Sequence, residues 1–233
     1  NTISTGRIQK GKSRNLQNGK GCRTAGGKMT RIKLCGMSRM EDIAAVNEIR
    51  PEFCGFVIEV PKSRRNVSAV QAERLSAALA PGIVPVGVFV NSEVSLVADL
   101  LNRGVIGAAQ LHGQEDEAYI SRLRNKIKAD ARLIQAFSIR TKEDVLRAKK
   151  SSADLILLDQ GSGGSGRTFD WSLADTVDRP FFLAGGLGSG NLAQAIRAVK
   201  PWAVDLSSAL ETDGYKDPKK MREAVQIVRT TDS

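Results

Sequence analysis

Short aliphatic and β-branched runs alternate along the chain with longer amphipathic stretches, beginning close to Met29. The short runs have the length and composition of buried strands. They predict eight strands: Arg31–Cys35, Phe53–Ile58, Val84–Val90, Gly107–Leu111, Arg132–Phe137, Asp154–Leu158, Phe181–Ala184 and Ala203–Leu206.

The stretches between these strands carry apolar residues at helical spacing. Ser38, followed three residues later by Glu41, predicts a capping box at the start of the first helix, and Pro218 occupies a permitted first-turn position. A short helical turn is expected after Trp171. The predicted helices are Met40–Ile49, Val70–Leu79, Val94–Leu101, Ala118–Ile127, Glu143–Lys149, Leu192–Val199 and Pro218–Val228.

Regular alternation of strand and helix indicates repeated βα units and an α/β fold. Eight such strands favour a single (βα)8 TIM barrel over residues 29–233, although an open doubly wound sheet would produce much of the same pattern. A chain of 233 residues is close to the size of one such barrel, so one domain is expected.

The first 28 residues differ from the rest of the chain in composition. Seven Lys or Arg residues and no Asp or Glu precede Met29, so the net charge of +10 leaves only +3 for the remainder. The segment is rich in Gly, Ser and Asn and lacks apolar periodicity, which predicts a disordered basic extension. It has no apolar core of a secretory signal. We interpret it as an added or upstream-frame extension, with Met29 as the natural start.

Composition excludes several classes of function. No apolar run approaches the roughly 20 residues that cross a bilayer, so no membrane association is expected. Three cysteines without CxxC spacing predict neither a disulfide framework nor a metal site, and a reducing cytoplasm fits them best. Because the basic charge is concentrated in the extension and no nucleic-acid motif accompanies it, no nucleic-acid partner is expected.

Polar and glycine-rich segments follow the predicted strands, at the positions where barrel enzymes place their active sites. In chain order these segments include KLCG at Lys33, VGVFVN at Val86, QLHG at Gln110, LLD ending at Asp159, GGSGRTFDW ending at Trp171, AGGL at Ala184 and VDLSS ending at Ser208.

Seven such segments in this order, covering nearly all of Met29 to Val228, resemble the phosphoribosylanthranilate isomerase family of tryptophan biosynthesis. The resemblance implies a cofactor-free Amadori rearrangement, in which N-(5-phosphoribosyl)anthranilate becomes 1-(2-carboxyphenylamino)-1-deoxyribulose 5-phosphate. An acid must protonate the furanose ring oxygen and a base must remove the C2 proton, so two tuned proton-transfer groups are needed.

The resemblance implies that Cys35 is the general base and Asp159 the general acid. A positive charge nearby, such as Lys33, would favour the thiolate. Considered without the family motif, Cys35 would more often be a buried strand cysteine, as we expect for Cys54, and Asp159 a capping or loop aspartate.

The resemblance also implies a set of substrate contacts. Arg65 matches the arginine that binds the anthranilate carboxylate, a planar group suited to bidentate recognition. Phosphate would bind in the loops after the last two strands, at Gly185, Gly186, Ser207 and Ser208.

His112 matches a position that lines the substrate site, although a lone histidine is more often structural. Gln110 and Asp205 are expected either to contact substrate hydroxyls or to satisfy loop backbone groups.

Two positions depart from the family pattern. Ala209 stands where the family commonly has glycine, which would disturb the phosphate loop if that residue needs a positive φ. The Gln160–Ser162 stretch is short, and the glycine-rich segment after it is predicted to be a flexible lid anchored by Phe169 and Trp171.

Other functions remain as alternatives. Indole-glycerol-phosphate synthase chemistry would require a lysine and glutamate set that we do not find, and a metal-dependent epimerase would require several His and Asp ligands where this chain has one His. A dual-substrate relative would be expected to use paired aspartates, and Cys35 stands where the first would be. A catalytically inactive sugar-phosphate-binding barrel, or a nucleic-acid binder acting through the basic extension, belongs to a different class. The assembly is expected to be a monomer or homodimer.

Overall fold

The computed structural model describes residues 29–159 and 171–231. The predicted disordered extension, the Gln160–Ser162 stretch and all of the predicted lid except Trp171 therefore lie outside the described residues.

Eight parallel strands form the main sheet. Their bounds are β1 Arg31–Cys35, β2 Phe53–Ile58, β4 Val84–Phe89, β5 Ala108–Leu111, β6 Arg132–Ser138, β7 Leu155–Asp159, β8 Phe181–Ala184 and β9 Ala203–Leu206. Four match the predicted bounds, and the others differ by one residue at one or both ends.

The helices outside the sheet are α1 Met40–Ile49, α2 Ala69–Ala77, α3 Val94–Asn102, α4 Glu117–Arg124, α5 Lys142–Lys149, α6 Leu192–Val199 and α7 Pro218–Thr231. A 3-10 helix, Trp171–Thr176, stands where the short helical turn was predicted. No helix in the described part of the chain is both long and apolar enough to cross a membrane.

The sheet closes on itself. Its strands follow the order β1, β9, β8, β7, β6, β5, β4, β2, and β1 then pairs with β2, with Lys33 opposite Phe53. An open doubly wound sheet would leave β1 and β2 unpaired at its edges or order the strands differently. The prediction of a (βα)8 barrel is therefore confirmed.

Strand alternation divides the buried residues between two cores. In β1, Ile32 and Leu34 belong to the large core between the sheet and the helices, whereas Lys33 and Cys35 alternate with them and face the barrel interior. A second, smaller apolar cluster around Phe53 and Phe182 fills the lower part of that interior. The alternation places every odd-numbered residue of β1 inside the barrel.

Local features that the sequence did not predict lie near the rim of the barrel. A ninth, two-residue strand, β3 Asn66–Val67, pairs in parallel with the carboxyl end of β2, and a small hairpin, β10 Glu211–Thr212 with β11 Tyr215–Lys216, follows β9. A 3-10 turn, Ser208–Leu210, leads into that hairpin.

The predicted capping box of α1 is wrong by one position. The carboxylate of Asp42, rather than that of Glu41, accepts hydrogen bonds from the backbone N–H groups of Ser38 and Arg39, at 2.9 and 3.0 Å. Asp42 is buried, and this bonding satisfies N–H groups just before the first turn. The prediction for Pro218 is confirmed, since it is the first residue of α7.

Candidate active site at the carboxyl end of the barrel

A completely buried lysine stands at the centre of the barrel mouth. Nζ of Lys33 donates hydrogen bonds to Oδ2 of Asp205 at 2.9 Å and to Oε1 of Gln110 at 2.8 Å. Burial disfavours the ammonium, but the interactions of Lys33 with Asp205 and Cys35 together outweigh burial and raise the pKa of Lys33. Lys33 therefore stays positively charged inside the barrel.

The polar contacts continue across the mouth from Gln110. Its Nε2 lies 2.7 Å from Nδ1 of His112, and Nε2 of His112 lies 3.4 Å from Oδ2 of Asp159. One continuous chain of contacts therefore crosses the mouth, from Asp205 through Lys33, Gln110 and His112 to Asp159. These side chains come, in that order, from β9, β1, β5, the residue after β5, and β7. The structure brings together four predicted site residues through a fifth, Lys33, that was predicted only as a nearby charge.

Cys35 lies one strand repeat above Lys33 and is 7% exposed. Burial is the largest influence on its thiol and raises the pKa; Lys33 lowers it, and Asp205 raises it further. Lys33 does lower the pKa of the thiol, as expected, but the opposite effect of burial on that pKa is larger. The pKa of Cys35 is raised overall, so in this state the thiol holds its proton at neutral pH.

A glycine opposite Cys35 provides the room for its side chain. A Cβ added at Gly55 would lie 2.7 Å from Sγ of Cys35 and 3.1 Å from Cε of Lys33. Since real Cβ atoms do not approach sulfur so closely, β2 must carry glycine here for both side chains to occupy the barrel interior.

Asp205 is almost fully buried and only partly satisfied. Its Oδ2 accepts from Lys33, whereas Oδ1 is buried without a hydrogen-bond partner among the described residues. Burial raises the pKa of this carboxyl and Lys33 opposes the rise. An orphaned acceptor at a barrel mouth can accept a hydrogen bond from a ligand hydroxyl.

A second group of charges surrounds Arg65 at the rim of the mouth. Nε and Nη2 of Arg65 donate to the two oxygens of Glu211 at 2.5 and 3.0 Å, and Arg64 pairs with the same carboxylate. Lys216, also buried, donates to Glu211 at 2.8 Å and to the carbonyl of Ser207 at 2.9 Å. Burial works against the charge of Glu211, but the bonds from Arg65 and Lys216 lower its pKa.

Arg65 lies close to the catalytic candidates. A Cβ added at Gly36, which has φ +83°, would overlap Cδ of Arg65, so the arginine packs directly over the residue that follows Cys35. Its Nε and Nη2 are occupied by Glu211, whereas its Nη1 makes no hydrogen bond among the described residues.

The predicted phosphate-binding residues lie in the loops after β8 and β9. Gly185 and Gly186 both have positive φ, 87° and 63°, a backbone conformation that glycine adopts without strain. Ser207 follows β9 and donates through Oγ to the carbonyl of Cys35 at 3.2 Å, which ties this loop to β1. Ser208 begins the 3-10 turn.

Ala209 fits the phosphate loop without strain. It lies inside the 3-10 turn, and it is not one of the residues with positive φ. The concern raised by the departure from glycine therefore does not apply to this backbone.

Three residues of this site had weak or no sequence signals. Lys33 could have been placed inside the barrel from its alternation with Ile32 and Leu34. Glu211 and Lys216 lie in a short hairpin with no apolar periodicity, and nothing in the sequence indicated that they would hold Arg65.

Two further observations define what this site is not built around. Within the described ranges, no group of three or more His, Cys, Asp or Glu side chains is arranged to hold a metal ion. A surface groove of about 670 Å³ lies apart from the network, beside the loops after β4 and β5 and helix α4, and none of the predicted site residues lines it.

A closed eight-stranded barrel with a thiol, two carboxylates, an imidazole and a buried ammonium at the carboxyl ends of its strands has the architecture of a (βα)8-barrel enzyme. The family described as N-(5'-phosphoribosyl)anthranilate (PRA) isomerase matches residues 32–227. The chain belongs to this family of isomerases.

Relatives of known name support the assignment. The chain is 41% identical over 206 residues to the N-(5'-phosphoribosyl)anthranilate isomerase of Endomicrobium trichonymphae, an alignment that covers 87% of this chain and 100% of the relative. It is 39% identical over 215 residues to the enzyme of the same name from Acetivibrio thermocellus, covering 88% and 98% of the two chains.

Solved structures agree with the fold. The phosphoribosylanthranilate isomerase of Thermotoga maritima superposes with a TM-score of 0.77 at 35% identity, covering 87% of this chain and 100% of that chain. A phosphoribosylanthranilate isomerase in complex with reduced 1-(o-carboxyphenylamino)-1-deoxyribulose 5-phosphate has a TM-score of 0.75 at 33% identity, with the same coverage. That relative binds a small phosphorylated ligand.

Proposed function

We propose that the chain converts N-(5-phosphoribosyl)anthranilate to 1-(2-carboxyphenylamino)-1-deoxyribulose 5-phosphate in tryptophan biosynthesis, with Asp159 as general acid and Cys35 as general base. The observation that carries these roles is the placement of both groups at the carboxyl ends of β7 and β1, facing one barrel interior. On one side, only β8 and β9 separate the two strands around the barrel.

The reaction needs one proton delivered and one removed. Asp159 protonates the furanose ring oxygen as the ring opens to the Schiff base, and the Cys35 thiolate then takes the proton from C2. The resulting enolamine tautomerises to the aminoketose. Neither step requires a cofactor.

Binding groups surround these two residues at the mouth. The anthranilate carboxylate would meet Arg65, the phosphate would meet the loops at Gly185, Gly186, Ser207 and Ser208, and a ribose hydroxyl would donate to Oδ1 of Asp205. Two anions at separate cationic or N–H-rich sites fix the ribose between the acid and the base.

The raised pKa of Cys35 has a consequence for the pH dependence. The thiolate is the active form of the base, so its population grows as pH rises toward the raised pKa. Because the acid must still hold its proton when the thiolate forms, we expect a bell-shaped dependence of kcat/KM on pH.

The test is a fluorescence assay that follows the disappearance of phosphoribosylanthranilate made in situ. Cys35→Ala and Asp159→Asn should each lower kcat by about 10²–10⁴-fold while still binding the reduced product analogue. Cys54→Ala is the matched control, because Cys54 is a buried cysteine on the adjacent strand that belongs to the outer core. A folded Cys35→Ala protein with near-normal turnover would remove the thiol from the mechanism.

Assembly and location remain predictions. We expect a monomer or homodimer in the cytoplasm with no nucleic-acid partner, because the basic charge is concentrated in the first 28 residues. Retention of nucleic-acid binding after deletion of those residues would place a basic surface on the barrel itself.

A further inference from the structure

The chain of contacts across the barrel mouth has a fixed direction. The direction is set by Lys33, whose ammonium carries only donors. Because Nζ of Lys33 lies 2.8 Å from the side-chain amide of Gln110, the oxygen of that amide must face the lysine. The amide nitrogen then necessarily faces His112.

The orientation of Gln110 determines where the proton of His112 resides. An amide NH2 group donates only, and it lies 2.7 Å from Nδ1 of His112, so Nδ1 must accept with its lone pair. In a neutral imidazole the proton is then on Nε2. That nitrogen is the one that faces Oδ2 of Asp159, at 3.4 Å.

We infer that His112 is a positioning residue for the reaction: Lys33, acting through Gln110, holds it as the Nε2–H tautomer, and this N–H directs the carboxylate of Asp159. The inference rests on the proposed function in one respect, the assignment of Asp159 as the acid. A histidine fixed in this way holds one carboxylate oxygen in place and so sets how the acid meets the ribose ring.

The two catalytic candidates are thereby linked through one buried charge. Lys33 lowers the pKa of the Cys35 thiol directly, and through Gln110 it sets the donor that faces Asp159. Lys33 need not touch the substrate to influence both proton-transfer groups.

The tautomer can be read without resonance assignment, because the chain contains a single histidine. Untagged full-length protein labelled with ¹⁵N-histidine should show one imidazole with a protonated Nε2 and an unprotonated Nδ1 at mildly alkaline pH. Predominance of the Nδ1–H form, or averaging of both forms as in a solvent-exposed ring, would overturn the inference.

Gln110→Glu tests the direction of control with almost no change in shape. A carboxylate accepts from both Lys33 and His112, so Nδ1 should gain a proton and its ¹⁵N shift should move toward the protonated position. An unchanged spectrum in a folded Gln110→Glu protein would show that Gln110 does not set the tautomer. Should this variant fail to fold, the wild-type spectrum still decides the tautomer.

Kinetics of two His112 variants test the positioning role. His112→Met removes the donor, whereas His112→Gln places an amide N–H near the position of Nε2. The Met variant should lose up to about a hundredfold in kcat, a size typical of a misplaced catalytic group, with a smaller change in KM, and the Gln variant should lose clearly less. Equal losses in the two variants, or none in either, would contradict the role.

The pH profile separates positioning from simple packing. An N–H donor favours the ionised carboxylate, so its removal in His112→Met should move the limb that reports the acid to higher pH. An unmoved limb would overturn the inference. A wrong assignment of Asp159 as the acid would have a different signature. Asp159→Asn would then keep its activity, whatever the spectrum of His112 shows.

Discussion

The interior of the barrel contains two layers with opposite chemistry. At the amino end, the rings of Phe53, Phe182 and Trp202 pack against one another with centroids 5.3–5.7 Å apart, and the guanidinium of Arg31 lies over Trp202. At the carboxyl end, the interior is crossed by the chain from Asp205 to Asp159. The rings come from β2, β8 and the residue before β9, whereas the polar chain comes from β9, β1, β5, β7 and the residue after β5.

The difference shows what each layer is for. Packed rings stabilise a fold through burial and ring contacts alone. A buried ammonium and carboxylate incur a desolvation penalty that hydrophobic residues of similar volume avoid. The presence of the polar layer is therefore explained by a catalytic role at the barrel mouth rather than by a contribution to stability.

The largest effect is expected from breaking the ion pair of the polar layer. Lys33→Met leaves Asp205 buried without its partner, which should lower the free energy of unfolding by about 3–5 kcal/mol and abolish turnover. The double variant Lys33→Met with Asp205→Leu should recover most of the stability and none of the activity. Denaturant unfolding and the isomerase assay measure the two effects. If the double variant is as unstable as the single one, the desolvation argument is wrong.

An equally large loss of stability, without loss of chemistry, is expected from the apolar layer. Phe182→Ala should lower the free energy of unfolding by about 3–5 kcal/mol, because it removes a ring from a packed cluster. Its folded fraction should keep kcat/KM within a few fold of wild type. A collapse of kcat in folded protein would mean that the two layers are not independent.

A smaller effect is expected at the rim, where the two neighbouring arginines form a matched pair. Arg65→Met should reduce kcat/KM by about ten- to a hundredfold, which corresponds to about 1.5–3 kcal/mol for a charge-assisted bond. Arg64 shares Glu211 but its side chain is 59% exposed, so Arg64→Met should change kcat/KM by less than about fivefold. If the two variants lowered kcat/KM equally, Arg65 would be a surface residue and would not bind the anthranilate carboxylate.

The smallest effect concerns the phosphate loop. Because Ala209 does not have a positive φ, Ala209→Gly has no strain to relieve. It should lower stability by no more than about 1 kcal/mol through added backbone entropy and leave KM unchanged. A marked fall in KM would show that the alanine does hinder phosphate binding.

Periodicity predicted the fold because each barrel strand is buried on both faces and bounded by polar loops. The run at Phe181–Ala184 is entirely apolar and that at Ala203–Leu206 is apolar except for Asp205, and both bounds were correct. Closure of the sheet was harder to foresee, since it depends on pairing between β1 and β2 rather than on any local pattern.

The site was predictable as a set of residues but not as a network. Chain position and family motifs identified Gln110, His112 and Asp205, whereas the contacts among them depend on which strands become neighbours. Glu211 and Arg65 are 146 residues apart in sequence, and no local signal connects them.

The pKa of Cys35 illustrates a second limit. The charge of Lys33 is visible in the sequence, but the extent of burial, which outweighs that charge, is not. The misplaced capping box has a similar origin, because Ser38 with Glu41 and Arg39 with Asp42 have the same spacing and only packing chooses between them.

The bond between Lys33 and Asp205 joins residues 172 positions apart, from the first barrel strand to the last. During synthesis the lysine leaves the ribosome long before its carboxylate partner exists. Until β9 docks beside β1, the ammonium lacks this counter-ion, and the loop at Ser207 cannot reach Cys35. Contacts of such long sequence separation are slow to form. Activity should therefore return only in the last phase of refolding, after most helical structure has been regained, and a truncated chain that ends before Ala203 should show none.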